Sequence, residues 1–91
     1  MALNELYSTI LDRKENPSEG SYTSSLFTKG LPRIAQKVGE EGTEVVVAAL
    51  AQENARLVEE IADLAYHVLV LMVAKGIKPE DVAAELEKRK K

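Results

Sequence analysis

The chain contains no cysteine. A disulfide framework, a thiolate zinc site and a cysteine nucleophile are therefore all excluded. Long uncharged apolar runs are missing too. The best candidate, residues 61 to 74, is interrupted by Asp63 and His67 and is too short to span a bilayer. The first five residues show neither a basic start nor an apolar stretch, so no signal peptide is expected and a cytoplasmic location is. Excess positive charge is also absent: 12 Lys and Arg face 15 Asp and Glu, for a net charge of −3. That balance argues against general nucleic-acid binding. A phosphorylated substrate stays compatible with it, because a metal ion neutralises both sides. No Walker-type glycine loop and no serine–histidine–acid set can be assembled, and His67 is the sole histidine.

What remains is one small domain over residues 1–91. A core of that size is marginal by itself, and without a disulfide the further source of buried area is a second copy of the chain.

Apolar periodicity predicts helices along most of the length. Leu3, Leu6, Tyr7, Ile10 and Leu11 recur at spacings of three and four, giving a helix from about residue 2 to 15 that Asn16-Pro17 terminates. Residues 17–30 hold four serines, two threonines and two glycines and read as a hydroxyl-rich connector, with a helical turn from Leu26 to Lys29 ended by Gly30. A connector this long in so small a domain points to function, and hydroxyls with a lysine suit phosphate oxygens. Pro32 opens the next helix. Its stripe is Ile34, Val38, Glu41, Val45 and Ala49, so Glu41 stands where an apolar side chain is expected, with Arg33, Lys37, Glu40 and Glu44 in an arc of roughly 60° beside it. Gly39 and Gly42, poor helix formers, suggest that a helix or a ligand packs closely there. Gln52-Glu53-Asn54 is too short for anything but an antiparallel return, with Asn54 as N-cap. The helix from about 55 to 75 is apolar on nearly every side, broken beyond its first turn only by Glu59, Glu60, Asp63 and His67 within roughly 100°. Such a helix is central and also faces a second subunit. No lysine or arginine follows those acids at i+4 to balance them. Lys75-Gly76 closes it, and Pro79-Glu80-Asp81 opens a last helix with Val82, Ala83, Ala84 and Leu86 on its apolar side. Lys88-Arg89-Lys90-Lys91 reads as its solvated end. The expected fold is all-α, four to five short helices, with a central antiparallel pair packed as a dimeric helical bundle.

Chemistry concentrates in two acid pairs. Glu41 with Glu44, and Glu60 with Asp63, are each three residues apart on the two most apolar helices. If those helices are antiparallel neighbours, four carboxylates converge, and buried carboxylates need a compensating cation. Oxygen ligands suit Mg²⁺ or Mn²⁺, which retain waters and bind substrate phosphates. Such an ion polarises phosphoryl oxygens and orients the attacking water. Lys29, Arg33 and Lys37 are placed to stabilise polyphosphate charge. The competing reading pairs the same acids with Lys37 and other cations. A carboxylate-bridged di-iron centre is disfavoured, since it needs Glu-x-x-His on two helices. His67 reads as a hydrogen-bonded filler near the core.

The pattern Glu40-Glu41-x-x-Glu44, then Glu60-x-x-Asp63, resembles the all-α nucleoside triphosphate pyrophosphohydrolases of the MazG type. Ser21-Tyr22-Thr23-Ser24-Ser25-Leu26-Phe27, Gly30, Gln36-Lys37-Val38-Gly39-Glu40-Glu41 and Ala62-Asp63-Leu64-x-Tyr66-His67 narrow the resemblance to the phosphoribosyl-ATP pyrophosphatase family. It covers almost the whole chain, and Gly42, where alanine is more usual, removes no ligand. The resemblance implies an α-helical homodimer that uses Mg²⁺. It also implies hydrolysis of the α–β phosphoanhydride of phosphoribosyl-ATP to phosphoribosyl-AMP and pyrophosphate, in histidine biosynthesis. Carried over, Glu41, Glu44, Glu60 and Asp63 are the metal ligands. Glu40 is an accessory acid, either behind the ligands or as the base for the water. Ser21, Tyr22, Thr23, Lys29, Arg33 and Lys37 contact substrate. The cyclohydrolase of the next step, fused to this domain in some relatives, is expected on a separate polypeptide. Two other readings stand beside this one: a house-cleaning pyrophosphohydrolase acting on (d)NTPs, and a non-catalytic helical dimerisation module.

Overall fold

The computed structural model describes residues 2–90; Met1 and Lys91, the last residue of the basic tail, lie outside the described residues. Five helices follow one another: α1 (Leu3–Glu15), α2 (Tyr22–Lys29), α3 (Leu31–Ala51), α4 (Asn54–Lys75) and α5 (Pro79–Arg89). No strand occurs among the described residues. α3 and α4, of 21 and 22 residues, form the long antiparallel hairpin on which everything else is mounted. α1 and α2 pack across its open end.

The core sits at that end. Ile10 from α1, Leu26 from α2, Ile34 from α3 and Val70 and Val73 from α4 are almost wholly buried, with Leu69 and Met72 joining them. Each of these four helices thus contributes its apolar stripe to one cluster, the packing that gives helices this short their stability. Two glycines shape the ends. Gly30, at φ 94°, joins α2 to α3 without a spacer. Gly76, at φ 72°, ends α4, with the amide of Ile77 returning to the Met72 carbonyl at 2.9 Å. Both positions lie in the region that strains any residue with a Cβ.

Several expectations change. The connector of residues 17–30 is shorter than read, because Tyr22–Lys29 is a full helix. Ser21 caps it, accepting a hydrogen bond from the Ser24 amide at 3.2 Å. Ser24, buried, donates to the Arg13 carbonyl at 3.2 Å and accepts from the Ser18 amide at 3.0 Å, tying the turn to α1. Glu53 rather than Asn54 precedes the first turn of α4. In α3 the deepest positions are Ile34, Glu41 and Ala48, with Ala49 exposed. The seam therefore steps by seven residues, as closely aligned helix pairs require, and drifts off an ideal 3.6-residue wheel. Among the described residues nothing packs on Gly39 or Gly42, since a Cβ at either would meet nothing within 4 Å. α5 buries no residue, leaving Val82 and Leu86 exposed. It is held to α1 by the Tyr7 hydroxyl, which donates to the Ile77 carbonyl at 2.8 Å.

The closed end of the hairpin is bare. Leu50 is 84% exposed and Val58 65%, and Val46, Val47 and Ile61 are exposed beside them.

Candidate active site

Midway along the hairpin the seam turns polar. Glu41 stands between Ile34 and Ala48 in α3, while Glu60 and His67, also seven apart, lie on the inner side of α4. All three are buried, Glu60 to 2% exposure and Glu41 to 6%. Asp63, one turn beyond Glu60, is exposed at the rim. Carboxylate oxygens of Glu41, Glu60 and Asp63 lie within 4.8 Å of one another.

Each buried carboxylate has one oxygen accounted for. Lys37 Nζ stands 3.3 Å from Glu41 Oε1, and Arg56 Nη2 stands 2.8 Å from Glu60 Oε1. Glu41 Oε2 and Glu60 Oε2 are buried with no hydrogen-bond partner. Leaving such an oxygen dry and unpaired costs on the order of 1–3 kcal/mol, more for a charged group. Two of them side by side, with Asp63 adjacent, form a set of hard oxygen donors that fits a divalent cation such as Mg²⁺ or Mn²⁺.

The remaining acids divide. Glu44 is exposed and does not join the trio; it lines a cleft of about 220 Å³ at the hairpin's closed end with Glu60, Arg56, Val47 and Gln52. Glu40 faces the basic side of α3. It accepts from Gln36 at 3.1 Å and lies 3.5 Å from Lys37 and 3.7 Å from Arg33. Lys37 thus bridges Glu40 and Glu41. Burial alone would lower its pKa, but its hydrogen bond to Glu41 and the charges of Tyr22, Glu41 and Glu40 outweigh that, and the net shift is upward. Arg33 and Lys37 are engaged by carboxylates, and Lys29 is exposed in the last turn of α2.

α2 delivers its N-terminal residues to the same region. The Tyr22 hydroxyl is 2.9 Å from His67 Nε2, and Thr23 Oγ1 is hydrogen-bonded to the Tyr66 hydroxyl. His67 Nδ1 lies 2.7 Å from the Asp63 carbonyl. A carbonyl only accepts, so Nδ1 carries the proton and, in the neutral ring, Nε2 accepts from Tyr22. His67 is thus a buried, doubly bonded side chain that ties α2 to the turn bearing Asp63. Tyr22, Tyr66 and His67 pack mutually, Tyr22 on Tyr66 with centroids 6.3 Å apart and 27° between planes. Burial raises the Tyr66 pKa; the Thr23 hydrogen bond works against that and the Tyr22 charge adds to it.

Two contacts escape a reading of the sequence. Arg56 precedes Glu60 by four residues, and the positions after the acids do not show it. Tyr66 is among the residues that carry the resemblance, but only the placement of α2 shows that its hydroxyl meets Thr23.

An all-helical chain whose central antiparallel pair carries Glu-x-x-Glu opposite Glu-x-x-Asp has the architecture of an all-α nucleotide pyrophosphohydrolase. Comparison with known proteins narrows the class. A family model described as phosphoribosyl-ATP pyrophosphohydrolase matches residues 3–90. A protein of Sulfurisphaera tokodaii named phosphoribosyl-ATP pyrophosphatase is 57% identical over 89 residues, covering 98% of this chain and 95% of its own. Proteins of the same name from Saccharolobus solfataricus and Clostridium botulinum are each 52% identical, over 98% and 97% of this chain and 95% and 80% of theirs. The chain belongs to the phosphoribosyl-ATP pyrophosphohydrolase family.

Proposed function

We propose that this protein hydrolyses the α–β phosphoanhydride of 1-(5-phosphoribosyl)-ATP, giving phosphoribosyl-AMP and pyrophosphate in histidine biosynthesis, with Mg²⁺ held by its carboxylates. Family membership supports the reaction. The observation that carries the site is the pair of buried, unpartnered oxygens on Glu41 and Glu60. Glu41, Glu60 and Asp63 would hold the cation, with Glu44 at the rim of the adjoining cleft as the fourth ligand. When bound, the ion supplies charge neutralisation and polarises phosphoryl oxygens.

The chain's own residues prepare that site. Lys37 and Arg56 each hold one oxygen of a buried carboxylate and leave the other free, so the free oxygens are fixed before anything binds. Glu40, ringed by Arg33, Gln36 and Lys37, fixes the Lys37 ammonium from the other side and acts behind Glu41. Arg33, Lys37 and Lys29 give the α3 side of the site the positive charge that a polyphosphate needs. In the reaction a water oxygen bonds to one phosphorus of the α–β bridge as the bridging P–O bond breaks; one product keeps the water oxygen, the other keeps the bridging oxygen, and the water's proton passes to solvent.

A homodimer fits the surface. The chain exposes 6375 Å², whereas a compact monomer of 10.0 kDa exposes about 5,200 Å². Its radius of gyration is 14.2 Å, against about 12 Å for a compact chain of this length. That excess of roughly 1,200 Å² is more than the roughly 800 Å² that one partner contributes to a standard interface. The exposed Val46, Val47, Leu50, Val58 and Ile61, and an apolar groove of about 370 Å³ lined by Leu3, Leu64, Val68, Met72 and Val82, supply the apolar area. No helix of the described residues is long and apolar enough to cross a membrane.

The test is pyrophosphate release from phosphoribosyl-ATP, ATP and a dNTP panel, with Mg²⁺ and with EDTA. Mg²⁺-dependent release from phosphoribosyl-ATP alone, abolished in Glu44→Gln, is expected. Release only from dNTPs would move the protein to a house-cleaning role, and none from any substrate by the folded protein would overturn the enzyme reading.

A further inference from the structure

The three hydroxyls at the start of α2 are largely spent on the protein itself. Ser21 Oγ accepts from the Ser24 amide, and Thr23 shares a hydrogen bond with Tyr66. The Tyr22 hydroxyl is engaged by His67 Nε2 at 2.9 Å, and the other ring nitrogen of His67 sits 2.7 Å from the Asp63 carbonyl. That bond holds the Tyr22 hydroxyl on the protein, whereas the hydroxyl-rich sequence suggests a phosphate contact.

Yet Tyr22 remains 51% exposed while its neighbours Tyr66 and His67 are half-buried and buried. One side of its ring rests on Tyr66, and His67 meets it edge-on at 78° with centroids 5.8 Å apart. Packing and a hydrogen bond hold the ring in one orientation with an aromatic surface left open. One link places that surface beside the carboxylates: His67 runs from the Tyr22 hydroxyl to the carbonyl of Asp63, whose carboxylate belongs to the acid cluster. A rigid, half-open aromatic ring beside a polyphosphate site is a platform for a planar base, and any base has a π face to lay on it.

We infer that Tyr22 binds substrate through its ring, stacking the adenine of the nucleotide, with its hydroxyl serving only to orient that ring through His67. This rests on the proposed reading of the site as a nucleotide pyrophosphohydrolase. It goes beyond that reading in assigning the base subsite and in removing Tyr22 from the phosphate contacts.

The test is calorimetric binding of AMP, and separately of inorganic pyrophosphate, to the full chain with Mg²⁺. Tyr22→Leu should weaken AMP on the order of tenfold, the usual loss of one base–aromatic stack. It should leave pyrophosphate within about twofold, since the metal and α3 cations bind that ligand. Tyr22→Phe keeps the ring and should hold AMP affinity within about threefold. Loss of AMP binding in Tyr22→Phe equal to that in Tyr22→Leu would make the hydroxyl the contact and overturn the inference. Equal weakening of AMP and pyrophosphate in Tyr22→Leu would mark Tyr22 as structural and overturn it as well. So would wild-type protein that binds no AMP. Wild-type protein that binds AMP through Tyr22 but releases no pyrophosphate from phosphoribosyl-ATP would leave the subsite standing and sink the reaction instead.

Discussion

The two ends of the α3–α4 hairpin are built from similar apolar helix and put to opposite uses. At the open end, Ile34, Val70 and Val73 meet Ile10 and Leu26, and the burial is finished within one chain. Toward the closed end, Glu41 and Glu60 occupy equivalent inward positions, with one oxygen each left unpaired, and Val58 and Leu50 face outward uncovered. The first end completes its packing within one chain. The second is incomplete in two ways, electrostatically inside and hydrophobically outside. A metal ion and a second subunit would complete it. Helix pairs therefore carry function where their burial is left unfinished, and stability where it is not.

The largest loss of stability is expected at the packed end. Ile34→Ala should cost about 2–5 kcal/mol in denaturant unfolding, as expected for a fully buried isoleucine. Leu50→Ala at the bare end should change the stability of the isolated chain by less than about 0.5 kcal/mol. Its effect should appear instead in sedimentation, as a weaker dimer. Equal losses at both sites would mean that the two ends are not distinct.

At the polar centre, Glu41→Gln keeps shape and removes charge. Activity should fall roughly 10²–10³-fold, the scale on which removing one fixed electrostatic group acts. Substrate turnover in Mg²⁺ checks this. An unchanged rate would place the chemistry elsewhere.

Smaller effects belong to the periphery. Tyr7→Phe removes the hydrogen bond that holds α5 through Ile77, and should cost at most about 1 kcal/mol while speeding amide exchange in α5. The phenols also set an alkaline limit. Burial first, then the charges of Glu80 and Asp81, raise Tyr7 above its ordinary 10.0, and Tyr66 is raised mainly by burial. A folded pKa above the unfolded one contributes stability that is complete below pH 10 and is lost as pH rises through the folded value. Unfolding at pH 9 and pH 11 should show the drop, and Tyr7→Phe with Tyr66→Phe should flatten it.

Much of this arrangement is legible in the residues. Apolar spacing, Pro32, Gly30, Gly76 and Pro79 mark α1, α3, α4 and α5 to within a residue or two. α2 escapes because its eight residues hold too few apolar positions to show a period, and because serine and threonine compete with the helix for backbone hydrogen bonds. Its one local sign is the Ser21 cap. The acid pairs are legible as pairs, but the spacing alone does not fix the roll of each helix. Both residues of Glu60-x-x-Asp63 reach the cluster, whereas from Glu41-x-x-Glu44 only Glu41 does. Ala48 in place of Ala49 has the same cause, a seam that steps by seven. The contacts of Arg56 and Tyr66 were out of reach, since they are defined by side chains meeting in three dimensions.

If Glu60 and Glu41 are buried to hold a cation and not to serve the fold, stability and Mg²⁺ must be linked through them. The most direct measurement is the stability of wild type and Glu60→Gln in EDTA and in saturating Mg²⁺. In EDTA the variant should be at least as stable as wild type, because it removes one of the clustered carboxylate charges and frees only the exposed Arg56. At 100 times the dissociation constant, Mg²⁺ should add about 2.7 kcal/mol to wild type and far less to the variant. A variant destabilised in EDTA, with neither protein responding to Mg²⁺, would make Glu60 a structural partner of Arg56 and contradict the account.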